Sequence, residues 1–383
     1  MIRFSHVSAG FIAVLVGYAS SAVIVVQAAS SAGASIAQIS SWLWALGIGM
    51  AVTSIGLSWY YRAPVLTAWS TAGAALLATS LPGVPLADAI GVFLFSSLLL
   101  TAFGLLGWIE VLLRWVPRAV AAAMLAGVLL RFGLQLFSTL TDALGLVLLM
   151  LAVWVFGRRW HPNFAALASL AAGILLCIVQ GEVRGGAIRF DPALPVWTTP
   201  SFDWAHLIGI GMPLFLVTMA SQNVPGLAVL RANGYDTPAS PPLAVTGLTG
   251  LVLAPFGGFA FNLAAITAAI CMSPDADPVK ERRYLAAIWA GAFYALSGIL
   301  GLTVVTAFAA LPPALLAAMA GIALLGTLSG SLVGAFEAPA ERDAALLTFL
   351  CTASGLTLFG IGSAFWGLAA GVLASAVARW LRS

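Results

Sequence analysis

The sequence predicts an all-α polytopic membrane protein of fourteen transmembrane segments in two inverted repeats of seven. Three observations carry this: an apolar composition, a one-sided distribution of positive charge, and an internal repeat. Of 383 residues, 62% are hydrophobic and 8% charged, with a mean hydropathy of +1.06, against roughly 25% charged residues in soluble domains. Apolar runs of about twenty residues recur from end to end, and lipid admits only helices or closed barrels. The runs are continuous rather than alternating, which selects helices.

The segments fall at 8–28, 38–59, 64–79, 86–107, 118–136, 141–157, 163–180, 204–229, 241–254, 257–272, 284–307, 313–332, 343–358 and 361–379. With the N-terminus in the cytoplasm, thirteen of the sixteen basic residues fall inside: Arg3, Arg62, Arg114, Arg118, Arg158, Arg159, Arg231, Lys280, Arg282, Arg283, Arg342, Arg379 and Arg382. Arg184 and Arg189 fall outside, and Arg131 lies within a segment. A segment missed in the middle would invert everything after it, so the bias supports an even count with both termini cytoplasmic. The N-terminal stretch has the arginine and apolar run of a secretory signal, but its partner in the repeat marks it as a retained helix. Cys177, Cys271 and Cys351 have neither metal nor disulfide spacing and read as packing residues.

Three pairs of stretches align in order between the halves. "VVQAASSAGA" (25–34) matches "VTMASQNVPG" (217–226), and "TAWSTAGAALLA" (67–78) matches "FAFNLAAITAAI" (259–270), both at a shift of 192 residues. "PRAVAAAMLAGVLL" (117–130) matches "PPALLAAMAGIALL" (312–325) at 195, with seven of fourteen positions identical. The first repeat is 1–191 and the second 192–383. An odd number of segments per repeat inverts the second relative to the first, the architecture of secondary transporters, with a site where interrupted helices meet near the midplane.

Segments three and ten are the interrupted ones. Each is short, begins with Pro or Gly, and reaches a polar residue, Ser70 or Asn262, before an apolar run. Each reads as an extended stretch leading into a half-helix, whose N-terminal N–H groups and partial positive charge suit an anion. The expected site gathers Gln27 of segment one, Ser70 and Thr71 of segment three, Ser221, Gln222 and Asn223 of segment eight, and Asn262, Leu263 and Ala264 of segment ten. Amides and hydroxyls in spans also bridge helices, so the argument rests on their convergence. Phe259 and Phe261 are the expected ring-packing aromatics, with Tyr18, Trp69 and Phe215 nearby.

Ionisable residues in spans are the default proton carriers. Glu110, Glu337 and Asp142 are the coupling candidates, each equally readable as a surface or capping residue. Arg131 reads as a snorkelling side chain, and His6, His161 and His206 as loop residues. No metal cluster, nucleophile–base pair or HExxH pattern is present, so an intramembrane enzyme is the weak reading. No cofactor and no nucleic-acid partner are implied.

The stretches "MASQNVPGLAVLRANGY", "PFGGFAFNLAAITAAICM" and "PDADPVKERRYLAAIWAGAFYALSGI" resemble the benzoate/proton symporter (BenE, benzoate membrane transport protein) family, nearly from end to end. The resemblance implies uptake of benzoate or a similar aromatic carboxylate with a proton across the bacterial inner membrane. It also implies a fold similar to uracil/proton symporters and sulfate-type anion exchangers. In that fold, core segments 1–4 and 8–11 (about 8–107 and 204–307) carry substrate against gate segments 5–7 and 12–14 (about 118–180 and 313–383). Uracil symporters place glutamates where this chain has Gln222, Asn223 and Asn262; neutral amides suit a substrate that is itself negative. A carrier for another small anion or nucleobase, a channel on the same fold, and a homodimer stay open.

Overall fold

The computed structural model describes residues 3–108, 116–183 and 188–380. Among the described residues, and leaving short 3-10 turns aside, fifteen helices and two short strands follow in order: α1 (Phe4–Ser31), α2 (Ile36–Tyr61), β1 (Thr67–Trp69), α3 (Thr71–Ser80), α4 (Leu86–Leu106), α5 (Arg118–Ser138), α6 (Leu144–Trp160), α7 (Ala165–Val179), α8 (Trp204–Ala232), α9 (Ser240–Leu253), β2 (Phe261–Leu263), α10 (Ile266–Met272), α11 (Tyr284–Ile299), α12 (Gly301–Ala309), α13 (Pro313–Phe336), α14 (Arg342–Ser354) and α15 (Ser363–Trp380).

Helical elements occupy all fourteen expected segments, the eleventh being broken between α11 and α12. Length tells a narrower story. Among the described residues five helices are long and apolar enough to cross a bilayer, or up to seven if each of two bent pairs is one span. At 1.5 Å per residue, the ten residues of α3 reach only about half of a ~30 Å hydrocarbon layer. Helix length therefore does not establish the fourteen-span count.

Two sets of helices have their own neighbours. In one, α1 lies against α3, α10 and α11, α2 against α11 and α12, and α4 against α9; in the other, α5 lies against α13, α14 and α15, and α6 against α7. Small residues let the backbones approach closely, as is usual where lipid offers no hydrophobic driving force between helices. A Cβ at Gly47 of α2 would stand 2.5 Å from the Gly298 Cα of α11.

The two strands pair antiparallel, Thr67 opposite Leu263, Ala68 opposite Asn262 and Trp69 opposite Phe261. Pro64 lacks an N–H and biases Ala63 to extended backbone, which keeps helix from running through to β1. The ladder continues past both ends, with Ser70 N–H donating to Ala260 O (3.1 Å) and Ala264 N–H to Leu66 O (2.9 Å). Thr67 Oγ1 lies 2.6 Å from Thr53 Oγ1 and 2.8 Å from Ser54 Oγ, so α2 satisfies the strand's polar groups in a region without water. The turn into β2 needs Gly257: its φ is +92°, and a Cβ there would collide with the Trp42 indole.

On the face predicted to be cytoplasmic, a buried polar cluster ties the start of α1 to the α10–α11 connection. His6 Nδ1 accepts the Arg3 N–H (3.0 Å), so Nε2 carries the proton that meets Asp277 Oδ2 at 2.7 Å. Val279 N–H donates to Asp277 Oδ1 (2.7 Å), and the Arg3 guanidinium lies 3.5 Å from the same oxygen. Burial opposes ionisation of Asp277, but those three partners outweigh it and hold the carboxyl below its ordinary range. His6, read from sequence as a loop residue, is a fully buried junction.

Candidate functional site

Where α3 and α10 begin, the chain encloses a cleft of about 400 Å³. One wall is Val16, Gly17 and Ser21 of α1, Ala68 and Trp69 of β1, Thr71 and Ala72 of α3, Gln222 of α8, and Ala264 to Thr267 entering α10. The other is Trp154 and Arg158 of α6 with Ile322, Ala323, Gly326 and Thr327 of α13. The cleft thus lies between the two helix sets and reaches Pro162 at the α6–α7 connection.

Ser70 is the N-cap of α3, its Oγ accepting the Gly73 N–H at 2.9 Å. The Thr71 and Ala72 N–H groups, both at the cleft, have no protein acceptor among the described residues. With the helix running away from the cleft, its partial positive end adds to these donors. The Trp69 indole N–H donates to Ser21 Oγ (2.8 Å), while Tyr18 meets the ring edge-on with centroids 4.7 Å apart. Arg158 lies over the Trp154 ring, 5.1 Å from its centroid. No acidic side chain lines the cleft among the described residues.

α8 positions its polar triplet through a π turn, Met219–Asn223, a widened turn common at functional sites. Gln222 reaches the cleft, and its side chain makes no hydrogen bond to protein among the described residues. Its neighbour Asn223 turns to β2, where Oδ1 accepts the Leu263 N–H at 2.9 Å.

Of the residues expected from sequence, Thr71, Gln222 and Ala264 line the cleft, and Trp69 joins them. Ser70, Asn223 and Leu263 stand behind that wall in backbone-fixing roles. Asn262 does not head the half-helix: it lies mid-strand, α10 starts at Ile266 with Ala265 as N-cap, and Ala265 is therefore the structural counterpart of Ser70. Directly opposite Ala68, Asn262 shares the ribbon face of a cleft residue. Its Nδ2 donates to Ala260 O (2.9 Å), and its fully buried Oδ1 has no partner among the described residues. Phe259 packs against Trp42 and Phe93 instead of facing the cleft, and Phe261 fills space beside Gly49, Gly250 and Gly258. Gln27 and Ser221 are half-buried and outside the lining, Ser221 donating to Val217 O (2.6 Å). Asp142 and Glu337 are exposed and line no described cavity; Glu110 lies outside the described residues.

The profile of the benzoate membrane transport protein family matches residues 1–377. The chain belongs to this family. Two relatives extend the match over nearly the whole length. Inner membrane protein YdcO of Escherichia coli (strain K12) is 52% identical over 363 residues, 95% of this chain and 93% of that one. The benzoate membrane transport protein of Acinetobacter baylyi is 40% identical over 367 residues, 96% and 93%. Solved structures similar in fold include the transmembrane domain of a cyanobacterial bicarbonate transporter, BicA (TM-score 0.62, 16% identity, 98% of both chains). SLC26A9 is another (TM-score 0.65, 12% identity, 97% of this chain and 65% of that one). Membership makes this a multi-pass membrane transport protein and not an enzyme.

For a member of the benzoate membrane transport family, sequence reasoning had missed Ser21, Thr267 and Tyr294, and all of the α6 and α13 wall. Trp154 and Arg158, four residues apart at a helix end, carry the only signal that could have pointed to that wall, and which helix they face is a tertiary fact.

Proposed function

We propose that the protein is a secondary transporter that imports benzoate or a similar aromatic carboxylate together with a proton across the bacterial inner membrane. The carrying observation is the cleft at the α3 N-terminus: free N–H groups at Thr71 and Ala72, the amide of Gln222, no acidic lining, and aromatic walls. Its size lies at the lower end of the range for small-ligand pockets. In this reading the carboxylate meets the Thr71–Ala72 backbone and Gln222, while the ring lies among Trp69, Trp154 and Tyr294. Asn262 stands one layer behind, its free oxygen available to polarise that wall.

The fourteen segments form two inverted repeats, with 8–107 and 204–307 as the moving core and 118–180 and 313–383 as the gate. The separate neighbours of the two helix sets support that division. Access alternates as core moves against gate; distinct cavities at the two ends of α3 favour a carrier over an open pore. Arg158, an exposed residue of the cleft lining, lies on the face that charge assigns to the cytoplasm.

The test is uptake of radiolabelled benzoate into proteoliposomes, with and without an inward proton gradient, against unlabelled benzoate, uracil and sulfate. Gradient-stimulated uptake blocked by benzoate alone is the expected result. Uptake indifferent to the gradient removes the coupling, and block by sulfate or uracil instead moves the substrate class.

A further inference from the structure

A second cavity, of about 300 Å³, lies beyond the C-terminal end of α3. It is bounded by Thr79 and Ser80 at the end of α3, Arg131 of α5, His206 at the start of α8, and Thr352 and Ser363 flanking the α14–α15 connection. The cleft described above lies at one end of α3 and this cavity at the other, on the face predicted to be outside.

Arg131 distinguishes it. Arg131 is exposed, as outward snorkelling from sequence expects, and it also lines a cavity with hydroxyl-bearing walls. No carboxylate lies within ion-pair distance of it among the described residues. The acidic group nearest in function is already committed: Asp88 Oδ2 lies 3.0 Å from His206 Nδ1, and its Oδ1 accepts from the Ser201 hydroxyl. Thr352, 3% exposed, lines the cavity, while its hydroxyl, without a partner among the described residues, is buried against Gly367 of α15. Gly355, the left-handed C-cap of α14 (φ +71°), makes room for the guanidinium, since a Cβ there would collide with Arg131 Nη2. The loop itself is held, Leu358 and Ile361 exchanging backbone hydrogen bonds (3.1 and 2.9 Å) while Trp366 Nε1 donates to Ile361 O (3.1 Å).

We propose that Arg131 forms a second binding site for a small monoanion, which captures the carboxylate on the far side of α3 before it reaches the α3 N-terminus. An exposed cation without an ion-pair partner at the edge of a cavity can take a carboxylate through charge-assisted, bidentate hydrogen bonds, and it raises the local anion concentration at the mouth of the path. The C-terminal end of α3 repels anions, so the cation is what makes this vestibule hospitable to one. The proposal deepens the transport reading and rests on it for the direction of movement.

Two experiments test it. In right-side-out membrane vesicles, Arg131→Gln should raise the KM for benzoate uptake about tenfold, with Arg131→Lys in between. In inside-out vesicles the KM should stay unchanged. Equal KM values for wild type and Arg131→Gln on the outer face overturn the site, as does an equal loss on both faces that Arg131→Lys does not relieve. The second experiment needs no transport: phenylglyoxal labelling of Arg131, read by peptide mass spectrometry, should be slowed by benzoate and by chloride. Labelling indifferent to both anions overturns the proposal. Wild-type protein that fails to take up benzoate while both anions still protect Arg131 sinks the substrate assignment and leaves this site standing.

Discussion

Asn223 Oδ1 accepts the backbone N–H of Leu263 at 2.9 Å, while the side chain before it, Gln222, faces the cleft. One π turn thus separates two amides into a structural and a ligand-facing role. Asn223→Ala leaves a buried N–H without an acceptor, a loss of about 1–3 kcal/mol. A lowered Tm of the detergent-solubilised protein is expected; an unchanged Tm would mean the strand finds another acceptor.

Gln222→Ala removes no side-chain hydrogen bond among the described residues. Its expected signature is the reverse: an unaltered Tm and a benzoate KM raised about tenfold, the weight of a hydrogen bond to a charged group. Proteoliposome kinetics on both variants separate the two roles, and normal uptake by Gln222→Ala refutes the ligand contact.

Asp277 gives the fold a pH dependence whose sign follows from its partners. The folded carboxyl titrates below the unfolded one, so the ionised form stabilises the protein at neutral pH. That contribution is lost as pH falls from the ordinary carboxylate range, about 4, through the lower folded value. Wild type should exceed Asp277→Asn in Tm near pH 7, with the gap closing in acid. A gap that is constant with pH would assign the effect to shape instead of charge.

Gly257→Ala faces both a left-handed backbone and the Trp42 indole, a combined cost above about 3 kcal/mol. Gly83→Ala is the control, with a similar φ of +82° and nothing within 4 Å of the added carbon. Size-exclusion profiles should show aggregation for the first and monodisperse protein for the second.

The apolar segments were legible because lipid imposes a composition that no local detail can disguise. The interrupted pair was legible from shortness and from Pro and Gly at its entrances. Asn262 was misplaced for a physical reason: Asn is a favoured N-cap, and α10 has Ala265 there without a side-chain cap. Pairing with β1 carries β2 on to Leu263, and strand pairing across half a chain leaves no local trace. Gln222 could be found because polar residues are scarce in spans, whereas Trp154 and Arg158 come to the cleft only through packing of distant helices.

The ribbon of β1 and β2 also has a consequence for how the protein is made. Thr67 finds its partner only when Leu263 has been synthesised, which at 5–20 residues per second is a wait on the order of ten seconds or more. Meanwhile the first half carries an extended stretch with unmet backbone groups, which a bilayer tolerates only under cover of protein or water. Biogenesis of this transporter therefore has a vulnerable interval, ended by the second half, in which an insertase or chaperone that shields β1 would matter more than at any later stage.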